Sequence, residues 1–128
     1  MTRAWLLLLL VAGCDDHLVG VHGIEVPCDR DPPLTFENFG RAHLSAHCTG
    51  CHSGYLDTPA EREDAPAGVD LDTWEDLLAH ADRVWVRAVS QGGMPPGGGP
   101  DQEEQRLFEE WMACEVLPAA GIYPGALP

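Results

Sequence analysis

The sequence predicts an all-α domain, a small bundle of short helices, and three observations carry that expectation. Apolar residues recur at helical spacing in the segments around 36–51, 73–81, 83–90 and 101–117. Glycine (14) and proline (11) together are about a fifth of the chain, which favours short elements joined by rigid turns over a long-stranded sheet. The 45% apolar fraction suits a packed core and excludes disorder, while 128 residues allow one domain and not two. The charge balance narrows the function. Seven bases, all arginine, stand against 21 acids, for a net charge of −14. Such a surface repels phosphate backbones and anionic lipid heads, so nucleic acid is excluded as a partner.

The chain opens on Met1, Thr2 and Arg3, a short positive start, followed by a compact apolar run from Ala4 to Ala12. That run is too short to span a bilayer and reads as the core of a signal peptide. It ends in Val11-Ala12-Gly13-Cys14, which resembles the lipobox of bacterial lipoproteins. The resemblance implies that residues 1–13 are removed and that the Cys14 thiol is acylated, leaving an exported protein tethered in the cell envelope. The alternative is an ordinary secretory leader with an incidental cysteine. Asp15 and Asp16 follow; in some bacteria an acidic residue there retains a lipoprotein on the inner membrane. Residues 14–34 lack helical periodicity and are expected to be a tether.

The first helix is expected to start after Pro32-Pro33 with Thr35 as its N-cap, and Phe36, Gly40, Leu44 and Cys51 share one face. Gly40 costs about 1 kcal/mol of helix propensity against alanine, which close approach of another helix would explain. Residues 53–70 read as a loop. Asp72 and Glu75 are expected to cap a helix from Thr73 to Ala81, with Trp74, Leu77 and Leu78 inward. A further short helix, Arg83 to Ser90, carries Val84, Trp85, Ala88 and Val89 and stops at Gly92-Gly93. The last helix opens with Asp101 and Glu104 at capping-box spacing. Leu107, Trp111 and Cys114 form its apolar stripe beside Phe108 and Met112. Pro118 is expected to end it, leaving 118–128 as a tail.

The chemistry lies in Cys48-Thr49-Gly50-Cys51-His52. C-x-x-C-H is the attachment signature of c-type haem. Positions three apart on a helical turn face one side, so both sulfurs reach the two vinyl groups of one porphyrin, and the histidine after them can ligate the iron. A second axial ligand is Met94, in Gly92-Gly93-Met94-Pro95-Pro96-Gly97-Gly98-Gly99, where the prolines stiffen the segment that presents the sulfur. Two other readings use the same residues: a zinc site of Cys48, Cys51 and His52 with His43 or His47, and a thiol oxidoreductase using the C-x-x-C alone. His80 is the best bis-histidine alternative to Met94; His17 and His22 fall in the tether. With Cys14 assigned to lipid and Cys48 and Cys51 acting together, Cys28 and Cys114 remain. Export permits a disulfide between them, tying the tether to the last helix.

At Cys48, Cys51, His52 and Met94 the sequence resembles small bacterial class I c-type cytochromes, over residues 35–117. The resemblance implies a cytochrome c-like bundle around one covalently bound haem c, whose first and last helices cross with Trp111 over Gly40. It also implies that a proline carbonyl, Pro59 or Pro66, accepts the His52 Nδ1–H. The expected function is a monohaem one-electron carrier, not an enzyme, with an acidic surface that steers it to basic patches on redox partner proteins. A haem enzyme or gas sensor with a labile sixth ligand, a structural zinc module, and a subunit of a larger oxidoreductase are the competing expectations.

Overall fold

A computed structural model of the chain describes residues 26–123 and residue 127. The leader expected at 1–13, the lipid site expected at Cys14, and His17 and His22 lie outside the described residues. Four helices make up the fold, and no strand occurs among the described residues. Helix α1 joins a π-helical stretch, Phe36–Gly40, to an α-helical one, Arg41–His47. Helix α2 is Trp74–Ala79, and α3 runs from Ala81–Val84 into a π-helical Trp85–Ser90. Helix α4 is the longest, passing from Gln102–Trp111 through a π-helical Met112–Val116 to Leu117–Ala119. The all-α class therefore stands.

Local chemistry explains each boundary. Thr35 caps α1: its extended backbone lets the hydroxyl accept from Asn38 N–H, and Asn38 Oδ1 accepts from Thr35 N–H in return. The cap of α2 lies one residue beyond the expected one. Thr73 and Asp76 form the reciprocal pair, because Asp72 is spent elsewhere, accepting from Ser53 Oγ at 2.7 Å and Gly54 N–H at 2.8 Å. Asp101 caps α4 through Glu104 N–H, but Glu104 does not reach back; its carboxylate is turned to two histidines of α1. His80 leaves helical geometry (φ −125°, ψ 14°) and divides α2 from α3, so the expected boundary between those helices falls slightly earlier.

Pro118 does not end α4. It lies just past the join between the π-helical stretch and the terminal turn, and the helix continues through Ala119. The stop is Gly121, whose φ of +72° lets its N–H bond to Pro118 O while Ile122 N–H bonds to Leu117 O. Ile122 then packs against the core, so residues 118–122 belong to the folded body and not to a tail.

The core is built where α1 meets α4. Trp111, Phe108, Met112, Val116 and Leu117 from α4 are almost wholly buried with Leu44 of α1 and Leu77 of α2. Gly40 is buried directly beneath Trp111, and a Cβ at residue 40 would overlap the indole. The indole N–H donates to Glu115 Oε2, so this large side chain is buried without an orphaned donor. Phe39 lies edge-on to Trp111 at 5.8 Å, and Trp74 joins it at 6.5 Å.

The described part of the expected tether runs along α4. Cys28 and Cys114 form a disulfide with Cα atoms 5.6 Å apart, across 86 positions of sequence. Closing so long a loop removes about 4–5 kcal/mol of unfolded-chain entropy in the chain-entropy treatment. Arg30 adds a two-pronged ion pair to Glu110, Nε to Oε1 at 2.5 Å and Nη2 to Oε2 at 2.8 Å.

Two predictions follow from this packing. Gly40→Ala gains helix propensity but meets the indole, and overpacking dominates; chemical denaturation is expected to show a loss of about 1–3 kcal/mol. The hydrogen bonds from Arg30 hold the Glu110 carboxyl below its ordinary value of 4.5. Its contribution is present above pH 4.5 and is lost as pH falls through the lowered value. Thermal melts should therefore show that Glu110→Gln weakens the protein near neutrality and makes its melting point less sensitive to acid.

Candidate functional site

Cys48, Cys51, His52 and Met94 line one cleft of about 750 Å³. The C-terminal end of α1, the 53–70 loop, α3, the loop before α4 and the face of Phe108 surround it. Val69, Leu71, Val84, Ala88 and Phe108 give it an apolar wall, and its size falls in the range of small-molecule and cofactor sites.

Local folding aims the motif. Cys48 closes α1, its N–H bonding to Leu44 O, and His52 N–H returns to Cys48 O at 2.9 Å, so residues 48–52 form one tight turn. Both thiols are free and half-buried. Burial pushes the Cys48 thiol up to about 12. The Cys51 thiol is also raised, by burial first and then by the neighbouring Glu63 carboxylate. Both therefore rest as thiols, which disfavours a thiolate-based oxidoreductase.

His52 is oriented by its backbone acceptor. Nδ1 lies 2.9 Å from Val69 O, so the ring donates there and leaves Nε2 as its lone-pair nitrogen. This corrects the proline expected in that role: Pro66 O is taken by Arg62, and Pro59 O by Asp64 N–H. The loop that supplies Val69 is closed at its base by Leu71 N–H on His52 O at 2.9 Å and by the Asp72 contacts to Ser53 and Gly54.

Arg62 holds the same loop from inside and was missed by sequence reasoning. It is 5% exposed and gives its guanidinium to the carbonyls of Ser53, Ala65, Pro66 and Val69. Asp70 Oδ1 stands 2.8 Å from its Nη2. One arginine thus ties four carbonyls of the loop together, adding a second donor to Ser53 O, Pro66 O and Val69 O and supplying the donor for Ala65 O. A single base within Ala60-Glu61-Arg62-Glu63-Asp64 was the available signal, but a charge in an acidic run ordinarily reads as solvated surface.

Across the cleft, the Met94 loop is fixed to α3. The N–H groups of Gly93 and Met94 both donate to Arg87 O, at 2.9 and 3.1 Å, and Gln105 Nε2 of α4 donates to Ala88 O. His80 does not join the cleft lining; its Nε2 is 3.0 Å from Gly68 O. His43 and His47 do line it, yet both turn to Glu104 of α4, with His43 Nδ1 at 2.9 Å and His47 Nε2 at 3.1 Å from Oε1. Among the described residues these three are the only group of His, Cys, Asp or Glu donors that converges as a metal site would, with donor atoms within 4.8 Å of one another. The Cys48–Cys51–His52 set expected for zinc does not converge in that way. No helix among the described residues is long and apolar enough to cross a membrane.

Compared with protein-family models, with curated proteins and with solved structures, the chain gives no match.

Removing the arginine tests the loop. Arg62→Met leaves Ala65 O without a donor and the Asp70 carboxylate without its buried cation, and is expected to cost about 3 kcal/mol in denaturant unfolding, well beyond the effect of an exposed arginine such as Arg83.

Proposed function

We propose that this chain is a monohaem c-type cytochrome, a one-electron carrier, with a cytochrome c-like fold around one haem c. The observation that carries the reading is the shared cleft. Two free thiols in C-x-x-C-H order, an imidazole with its lone pair on Nε2, and a thioether on a separate loop all line it. This donor set fits the group: sulfurs that could form two thioether bonds, and a neutral nitrogen and a soft sulfur that could ligate its iron. Its volume and apolar walls suit a flat macrocycle.

Haem c bound there would supply an iron that alternates between the ferric and ferrous states. The chain's own residues do the rest. Cys48 and Cys51 would hold the cofactor covalently. Val69 O accepts a hydrogen bond from the Nδ1–H of His52, holding one tautomer and one ring orientation and raising the basicity of Nε2. Pinned by Arg87 O, Met94 offers a thioether that favours the reduced state. Phe108, Val84 and Leu71 would give the bound group an apolar surround. The reading includes no bond-making step on a substrate.

The rest of the proposal comes from the sequence. The lipobox-like Val11-Ala12-Gly13-Cys14 supports an exported protein held in the cell envelope by lipid on Cys14. The charge of −14 supports docking to basic patches on redox partners, at rates that fall as salt rises.

The test is an optical spectrum of the exported, matured protein in both oxidation states, beside Met94→Ala. A low-spin spectrum is expected, with a weak sulfur-to-iron charge-transfer band in the oxidised form that the variant loses. A high-spin wild type would favour ligand-binding or peroxide chemistry, and a colourless protein would remove haem altogether.

A further inference from the structure

We infer that His43, His47 and Glu104 form a second metal site, independent of the haem reading, that takes one borderline divalent ion such as Zn²⁺. His43 and His47 are four apart on α1 and so project from one face of the helix. Glu104 comes from the first turn of α4, and both rings converge on the same carboxylate oxygen, at 2.9 and 3.1 Å. A tetrahedral zinc with bonds of about 2.0–2.1 Å separates its donors by about 3.3 Å, so the two measured edges need to open by only a few tenths of an ångström. Two imidazole nitrogens and one carboxylate oxygen are a usual three-ligand set for zinc with the fourth position open.

Three further features favour an ion over a mere pair of hydrogen bonds. The His43 ring is held flat between Phe39, at 5.3 Å, and Phe108, at 4.3 Å, so its donor is preorganised. Burial keeps this imidazole below the ordinary histidine range, and a neutral ring is the form that ligates. Glu104 also gives up the reciprocal contact that would complete the cap of α4, although Asp101 is in place to receive it. With the ion bound, His43 carries its proton on Nε2 and His47 on Nδ1, and the former N–H···O contacts become coordination by Nδ1, Nε2 and Oε1. The site then clamps α1 to α4 beside the cleft and sets a dication into a strongly acidic surface.

The experiment is equilibrium dialysis of the full, matured, haem-loaded chain against zinc chloride, with zinc and haem counted on the same samples. Haem attachment occupies Cys48 and Cys51, so they cannot compete; a preparation without haem is dialysed after both thiols are capped with N-ethylmaleimide. One zinc per chain is expected, with a higher melting temperature in its presence. His47→Gln and Glu104→Gln should each weaken binding at least tenfold and abolish the zinc-dependent shift in melting. Glu104→Gln retains an acceptor for both rings, so loss of binding there reports coordination and not unfolding. Haem without bound zinc, or zinc held equally by both variants, overturns this site and leaves the haem reading intact. Zinc held here in a capped, haem-free chain supports it while the haem reading falls.

Discussion

The indole of Trp111 occupies the space that a side chain at residue 40 would fill, and the position of everything else follows from that contact. Only a residue without a Cβ lets α1 lie so close to α4. Once it does, Phe39, Leu44 and His43 are committed to the α4 side, and the chain leaves α1 at Cys48 pointing into the space beside Phe108. The cost of a glycine within the helix, about 1 kcal/mol, is small beside the burial of a tryptophan and a phenylalanine that are 0% and 1% exposed.

The cleft has two sides with different means of support. Helices hold one: Met94 inherits its place from Arg87 O at the end of α3, and Gln105 ties that end to α4. The other side is a loop with no regular structure, and a buried cation substitutes for secondary structure there. Val69 O lies at the centre of it, 2.9 Å from His52 Nδ1 and 3.2 Å from Arg62 Nη2. A carbonyl that serves two donors is fixed in direction by both. The orientation of the imidazole thus depends on an arginine that does not touch it.

Much of this was legible in the sequence because it rests on local rules. Thr35 before a run of helical spacing, Asp101 three residues ahead of Glu104, and Gly40 facing an apolar stripe are patterns of neighbours, and the helices they mark are present. Two of the errors share a cause: a side chain that had a local role available took a distant one. Asp72 serves Ser53 and Gly54 where it was expected to cap α2, and Glu104 serves α1 where it was expected to complete a cap. Val69 replaces the proline expected to accept from His52, because Arg62 fixes the loop in a register that spacing alone does not define. Residues brought together at the candidate site from positions 48–52 were readable as a motif; Arg62, most of whose partners are backbone carbonyls, leaves no pattern in the letters.

The bond between Cys28 and Cys114 also determines how the molecule bears load. Tension applied to the chain ahead of residue 28 crosses the sulfurs into α4 and leaves through the segment after residue 114. The sequence between them, a separation of 86 positions, forms a closed covalent loop that carries none of it. Helix α1, the 53–70 loop, the Met94 segment and every residue lining the cleft lie inside that loop. Pulling can peel Leu117, Ala120 and Ile122 from the core without drawing His52 and Met94 apart. The site is mechanically insulated from its own chain ends.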